Sequence, residues 1–374
     1  MPTDSPDQPE REKALAERYK PLLVLYPEIS SESRRVRPDW RSSGMAPLQE
    51  DYHPRDIKLV LDHARIPGRP PPHDGGRLLE ELEQNPEAPR IDLLEKIGHA
   101  DREKFWAEYY RIVNKEGTHD ADQTYPHSAY VHIAYGDDLA ASENTSLYRG
   151  LIAIEYWLIY LYNDWRSTHE GDWELIVVLL KQPSGSNGQP EPIACAYSAH
   201  HGGYRLPWRQ VEKADDQGEP AQEGSHPVVY VANGSHANYF FGPGRYATTT
   251  EKFGLRITTG EFPFTGEFLD FTTSFHDGAK LFPDLKVVPA TVDGHWTGGW
   301  RWLNFRGEWG SEGMPAWLRW PLRVIPKGLR FRLLRRIWGA PASLPPRHNW
   351  RNPFGWVDRE CEDAPPWDRW LARQ

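Results

Sequence analysis

The sequence predicts a β-rich α+β protein, an antiparallel β-sandwich core with helical insertions. Three observations predict it. From residue 128 onward, β-branched and aromatic runs alternate with turn residues. Gly (31), Pro (34) and Trp (17) are abundant, and aromatics reach 13%, which suits strands joined by elaborate loops. Extended helical spacing gathers mainly in one stretch, 77–116. The 374 residues divide into a disordered lead-in at 1–12 and one large domain at 13–374. That domain carries the helical insert at 77–116 and a basic, aromatic-rich C-terminal segment at 313–357.

Taken in order, a helix is expected over 13–19, ended by Pro21, then a short strand over 22–26 closed by Pro27. Residues 65–76 hold four Pro and three Gly and read as a loop. In the insert, Leu78, Leu79 and Leu82 share one helical face. Leu93, Leu94, Ile97, Phe105, Trp106, Tyr109, Tyr110 and Val113 mark a second, and these stripes read as faces packed on a core. Strands are expected at 130–134, 151–162, 173–180, 193–198 and 228–232, with a hairpin-type connection at 181–192.

Composition removes several function classes. A net charge of -9, from 53 acidic against 44 basic residues, argues against a nucleic-acid binder. No apolar run approaches the ~18 residues of a membrane span. The run at 151–161 is too short and contains Glu155. The first residues are polar and acidic, unlike a secretory leader, and Cys195 and Cys361 form no disulfide framework. A cytoplasmic setting with reduced thiols follows, peripheral contact with a membrane being left open. A nucleophile elbow, a P-loop and a Cys-x-x-Cys pair are absent.

The most informative stretch runs from Asn163 through Glu174. If Asp172 opens a strand, a period of two puts Asp172 and Glu174 on one face and Trp173 on the other. Adjacent carboxylates repel unless one is protonated or a cation lies between them. His169 falls in the turn just before, and Asp164 earlier in the same loop. One imidazole with two or three carboxylates is an oxygen-rich set suited to Ca²⁺ or Mg²⁺, with Mn²⁺ a further option. Solvated or arginine-paired carboxylates with a turn-capping histidine account for the same spacing. Two later strand ends add histidines, His200 and His201 before a glycine turn and His236 in the turn after 228–232.

The strings "YLYN…HEGDWELIVVLL", "YSAHHGGY" and "HPVVYVANGSHANYF" resemble the vacuolar protein sorting-associated protein 62 family, whose biochemistry is largely unassigned. "LAERYKPLLVLYPE", "FRGEWG" and "NWRNPFGW" fit the same resemblance. A more distant similarity is to the necrosis- and ethylene-inducing-like proteins, whose heptapeptide reads GHRHDWE. That similarity implies a β-sandwich and His169, Asp172 and Glu174 as ligands of a divalent cation, with Asp164 in place of an upstream aspartate and His236 as a site residue. The second histidine of the heptapeptide is Gly171 here, and its arginine is Glu170.

Between Glu312 and Asp358 there is no acidic residue, while nine Arg and Lys interleave with Trp, Leu and Ile. Such a surface suits an anionic membrane or a phosphorylated ligand, and equally Arg stems packed beside tryptophans. Two function classes follow. The first is divalent-cation-dependent recognition of a membrane lipid, a glycan or a protein partner. The second is a metal-dependent hydrolase or lyase acting on an anionic or oxygen-rich small molecule, with His236 or His201 as general base. Purely structural carboxylates are the third reading.

Overall fold

The computed structural model describes residues 8–27, 52–68, 75–85, 88, 90–93, 102–114, 124–143, 147–163, 169–183, 188–199, 202–242, 249–252, 255–258, 264–265, 270–292, 294–310 and 352–363. The first helix, α1 (Gln8–Arg18), begins inside the stretch read from sequence as a disordered lead-in. Its first turn carries Glu10, and Gln8 donates to Glu12 at 2.8 Å one turn on, so charge and side-chain pairing favour the helix there. Strand β1 (Leu22–Leu25) follows and is buried along its whole length.

The next elements build a helical layer. α2 (Ile57–His63) is capped by Asp56, whose carboxylate accepts from the Lys58 N–H. α3 (Gly75–Gln84), β2 (Arg90–Ile91) and α4 (Arg102–Asn114) complete it. The helical reading of 77–116 is interrupted by β2, and Leu93 sits buried just beyond that strand.

A run of long strands comes next: β3 (Ser128–Tyr135), helix α5 (Gly136–Glu143), β4 (Leu151–Asn163), β5 (His169–Lys181), β6 (Glu191–Ala199) and β7 (Gly202–Pro207). Shorter strands follow, β8 (Lys213–Ala214), β9 (His226–Val231) and β10 (Asn238–Tyr239). Two small hairpins pair β11 (Thr249–Lys252) with β12 (Leu255–Thr258) and β13 (Phe264–Thr265) with β14 (Asp270–Phe271). β15 (Ala279–Leu281), β16 (Asp284–Val287), β17 (Glu308–Trp309), α6 (Pro353–Arg359) and β18 (Cys361–Asp363) close the described chain.

These strands form a seven-stranded sheet, β16-β3-β4-β5-β6-β7-β18, and a second sheet, β10-β9-β1-β15, with β8 also on β9. β3 to β7 are mutually antiparallel, as the sequence predicts. The outermost strands β16 and β18 instead run parallel to β3 and β7, and β1 runs parallel to β9. These partners come from distant parts of the chain, so no hairpin dictates their direction.

The two sheets face each other. Ile154, Tyr156 and Leu158 of β4 and Ile176, Val178 and Leu180 of β5 pack with Leu22 to Leu25 and with Val229 and Val231. On the opposite face, Trp157, Ile159, Leu175 and Val177 pack against Leu78, Leu82, Phe105 and Tyr109 of the helical layer. The result is three layers: sheet, sheet, helices. Burial on both faces explains why β4 and β5 read as nearly continuous apolar runs rather than alternating ones. Each such Leu, Ile or Val removed from water contributes about 1.5–3 kcal/mol.

Candidate functional site

The site begins with a local change of handedness. In the β4–β5 ladder, Tyr160 lies opposite Asp172, Tyr162 opposite Glu170 and Asn163 opposite His169. Gly171 has a φ of 68°, and the strict alternation of faces fails at that point. Tyr162 turns to the helical layer, with ring centroids 5.5 Å from Tyr52 and 4.7 Å from Phe105. Glu170 follows it, accepting from the Leu93 N–H at 3.1 Å. Asn163 and His169 thereby come to the face between the sheets, beside Asp172. The sequence reading placed His169 in a turn before the strand; it is instead the first residue of β5, and buried. A second glycine secures the arrangement from outside. Gly310 has a φ of 103°, and a Cβ there would meet the Glu170 carbonyl oxygen at 2.2 Å.

Asp172 is the centre of the polar group. Its Oδ2 accepts from Asn163 Nδ2 at 2.9 Å and from His236 Nδ1 at 3.0 Å. Burial alone pushes this carboxyl up. The His236 bond, the nearby rings of His169 and His236 and the Asn163 amide outweigh that and hold it below its ordinary 3.8. Asp172 is therefore a carboxylate at neutral pH. His169 Nδ1 lies 2.8 Å from the Gly171 carbonyl oxygen. A carbonyl only accepts, so Nδ1 carries a proton, and Nε2 is the ring nitrogen turned away from that bond. That is the orientation a metal-binding imidazole takes, with its other nitrogen donating to a carbonyl.

His236 arrives from the second sheet. The turn between β9 and β10 closes through His236 N–H to Ala232 O at 3.0 Å and Ala232 N–H to Ala237 O at 2.9 Å. His236 itself has a φ of 56°, the one left-handed backbone at a non-glycine among the described residues. Such a conformation costs of order 1–3 kcal/mol and persists where surroundings enforce it. Here the enforcing contacts are the Asp172 bond and a face-to-face stack on Tyr160, with centroids 3.9 Å apart and planes 6° from parallel. Asn163 Nδ2 ties the same turn through Ser235 O at 3.4 Å.

Glu174, two residues along β5, has its own partners. Ser198 at the end of β6 donates its hydroxyl proton to Glu174 Oε2 and accepts from the Leu175 N–H at 2.7 Å. Asn238 Nδ2 donates to the same Ser198 oxygen at 3.4 Å. Because the Ser198 proton is committed to Glu174, the Asn238 amide can face Ser198 only through its NH₂. Its Oδ1 is then left buried without a donor. An orphaned buried acceptor of this kind costs about 1–3 kcal/mol.

The structure thus brings His169, Asp172, Glu174 and His236 to one face between the sheets. It adds Asn163, Ser198, Asn238 and Tyr160, which spacing arguments missed. The one signal for them was that they lie inside the strings "YLYN", "YSAHHGGY" and "GSHANYF". Asp164 and His201 lie outside the described residues, as does nearly all of the basic segment 313–357. Among the described residues, no group of three or more His, Cys, Asp and Glu side chains is placed so as to hold a metal ion. The polar groups gathered there are a held carboxylate, a second carboxylate, an imidazole and an orphaned amide oxygen.

These features define a β-rich α+β protein with a His–carboxylate cluster between two facing sheets. No known family profile matches the chain. In sequence it is similar to the Saccharomyces cerevisiae protein TDA6, provisionally named as vacuolar protein sorting-associated, with 27% identity over 188 residues. That alignment covers 45% of this chain and 37% of TDA6, so the chain matches well under half the length of this curated relative. Among solved structures, the crystal structure of non-toxic HaNLP3 protein aligns over 43% of this chain and 50% of that one. The identity is 15% and the TM-score 0.20, a likeness too slight to bear on function. No described helix is long and apolar enough to cross a membrane.

Proposed function

We propose that the face formed by His169, Asp172 and Glu174 binds a divalent cation, Ca²⁺ or Mg²⁺ before Mn²⁺, and uses it to recognise an oxygen-rich or anionic ligand. The observation that carries this reading is Asp172, whose side chain is only 13% exposed and yet held as a carboxylate. His169 Nε2, Glu174 and Asn238 Oδ1 would supply the remaining protein donors. When bound, the cation would contribute positive charge at which ligand oxygens complete the coordination shell. His236 and Asn163 would keep Asp172 oriented, and Ser198 would do the same for Glu174. A membrane lipid headgroup, a glycan or an anionic partner would fit such an open shell. The yeast relative's name, which associates it with vacuolar protein sorting, is in keeping with a role at a membrane.

Two assays test this. Purified protein is mixed with vesicles containing anionic lipid and with a glycan panel, in Ca²⁺, in Mg²⁺ and in chelator. Cation-dependent capture that is lost in Asp172→Asn/Glu174→Gln supports the reading. Capture indifferent to chelator, or none in either panel, contradicts it.

A second reading rests on the His236 Nδ1 to Asp172 Oδ2 bond, which is the orientation of a general-base pair. It makes the protein a metal-dependent hydrolase or lyase. Recognition is the stronger reading, because His236 is 0% exposed and lies flat against Tyr160, away from any substrate in solvent.

A further inference from the structure

The second sheet carries a concavity that shares no residue with the carboxylate face. Ahead of β8, a short 3₁₀ turn (Trp208–Gln210) leads into Val211 and Glu212, and the Val228 N–H bonds Glu212 O at 2.9 Å. Beside this junction lies a cleft of about 430 Å³. Its floor is apolar, made by Val211, Val228, Tyr230 and Phe275. Arg209, Lys213 and His276 lie on its rim.

The charge balance of the lining is the decisive feature. Glu212 is the one carboxylate there, and it accepts the Tyr230 hydroxyl proton at 2.6 Å. Lys213 reaches the Val211 carbonyl at 3.3 Å and lies over the Trp208 ring at 5.6 Å, which fixes its stem beside the opening. Arg209 is exposed and makes no ion pair or side-chain hydrogen bond among the described residues. An open guanidinium, a positioned ammonium and an imidazole thus surround an apolar floor. Guanidinium presents paired N–H donors that match a carboxylate or phosphate edge. The volume is within the range of small-molecule sites, about 300–1,000 Å³.

From this juxtaposition we infer that the cleft binds an amphiphilic anion, a phosphate or carboxylate carried on a flat apolar body. The head would meet Arg209 and Lys213, and the body would lie on Val228, Tyr230 and Phe275. The test is calorimetric titration of the full chain with 1-naphthyl phosphate, and with inorganic phosphate and 1-naphthol separately. The intact probe is expected to bind more tightly than either half. Arg209→Glu/Lys213→Glu removes both charge-assisted contacts and should weaken it by about tenfold or more, since even one such contact is worth about tenfold. Ala221→Trp, which fills the lining without touching a charge, should abolish it. Both variants are read only with an unchanged melting temperature, and Gln222→Trp on the exposed rim is the substitute if Ala221→Trp melts early. Competition by vesicles containing phosphatidic acid assigns the anion to a lipid, and its absence assigns it to a free molecule. No measurable probe binding, or binding indifferent to both variants, overturns the inference.

Discussion

Two histidine–carboxylate pairs take their carboxylates from opposite faces of the same sheet. Between the sheets, His236 meets Asp172 at 3.0 Å; toward the helices, His132 meets Glu155 at 2.8 Å. Their carboxyls respond oppositely. Asp172 is held below its ordinary range by two hydrogen-bond donors and a further imidazole nearby. Glu155 is raised above it, since burial outweighs its bonds from His132 and Trp157 Nε1. Glu155 is fully buried and the Asp172 side chain only 13% exposed, so the larger difference lies in the donors assembled around each. Glu155 is a polar residue accommodated in a core, whereas Asp172 is kept charged by its neighbours.

Replacing each carboxylate by its amide should separate the pairs most sharply. Asp172→Asn removes a charge, only 13% exposed, on which Asn163 and His236 depend, and should cost about 3–5 kcal/mol in urea denaturation at neutral pH. Glu155→Gln should change stability by less than about 1.5 kcal/mol, because burial already disfavours its charged form. Equal losses would break the comparison.

The glycines that shape the site come next. Gly310→Ala drives a Cβ into the Glu170 backbone and should cost more than about 2 kcal/mol, whereas Gly171→Ala should cost about 1–2 for its left-handed φ. Thermal denaturation measures both.

The pH dependence has opposite signs at the two pairs. The folded pKa of Asp172 is depressed, so its contribution is full above the unfolded value near 3.8 and is lost as pH falls through the folded value. That of Glu155 is raised, so its contribution is full below 4.5 and is lost as pH rises through the folded value. Asp172→Asn should therefore flatten the acid limb of stability against pH, and Glu155→Gln the limb above 4.5.

The smallest effect should come from Asn238→Leu. Without added cation, deleting the orphaned acceptor should leave stability within about 1 kcal/mol of the parent. The rise in melting temperature on adding Ca²⁺ or Mg²⁺ should shrink. An undiminished rise would remove Asn238 from the donor set.

Much of this fold was legible in the sequence, because β4, β5 and β9 are long apolar runs bounded by turn residues. The pairing of Asp172 with Glu174 on one face followed from strand period alone. His169 was placed near them, but in a turn, because one positive φ at Gly171 resets the alternation and periodicity carries no mark of it. Asn163, Ser198 and Asn238 were not legible, since their roles depend on β4, β6 and the β9–β10 turn meeting in space. The parallel edge strands were missed for the same reason: their partners lie far away in the chain.

Metal content decides the central claim most directly. Wild type and Asp172→Asn/Glu174→Gln are purified side by side, dialysed against Ca²⁺ or Mg²⁺, and measured by elemental analysis after removal of free ion. The expected result is a stoichiometric cation in the wild type that is absent from the double variant. A metal-free wild type whose melting temperature ignores both ions would make Asp172 and Glu174 structural carboxylates and contradict the cation site.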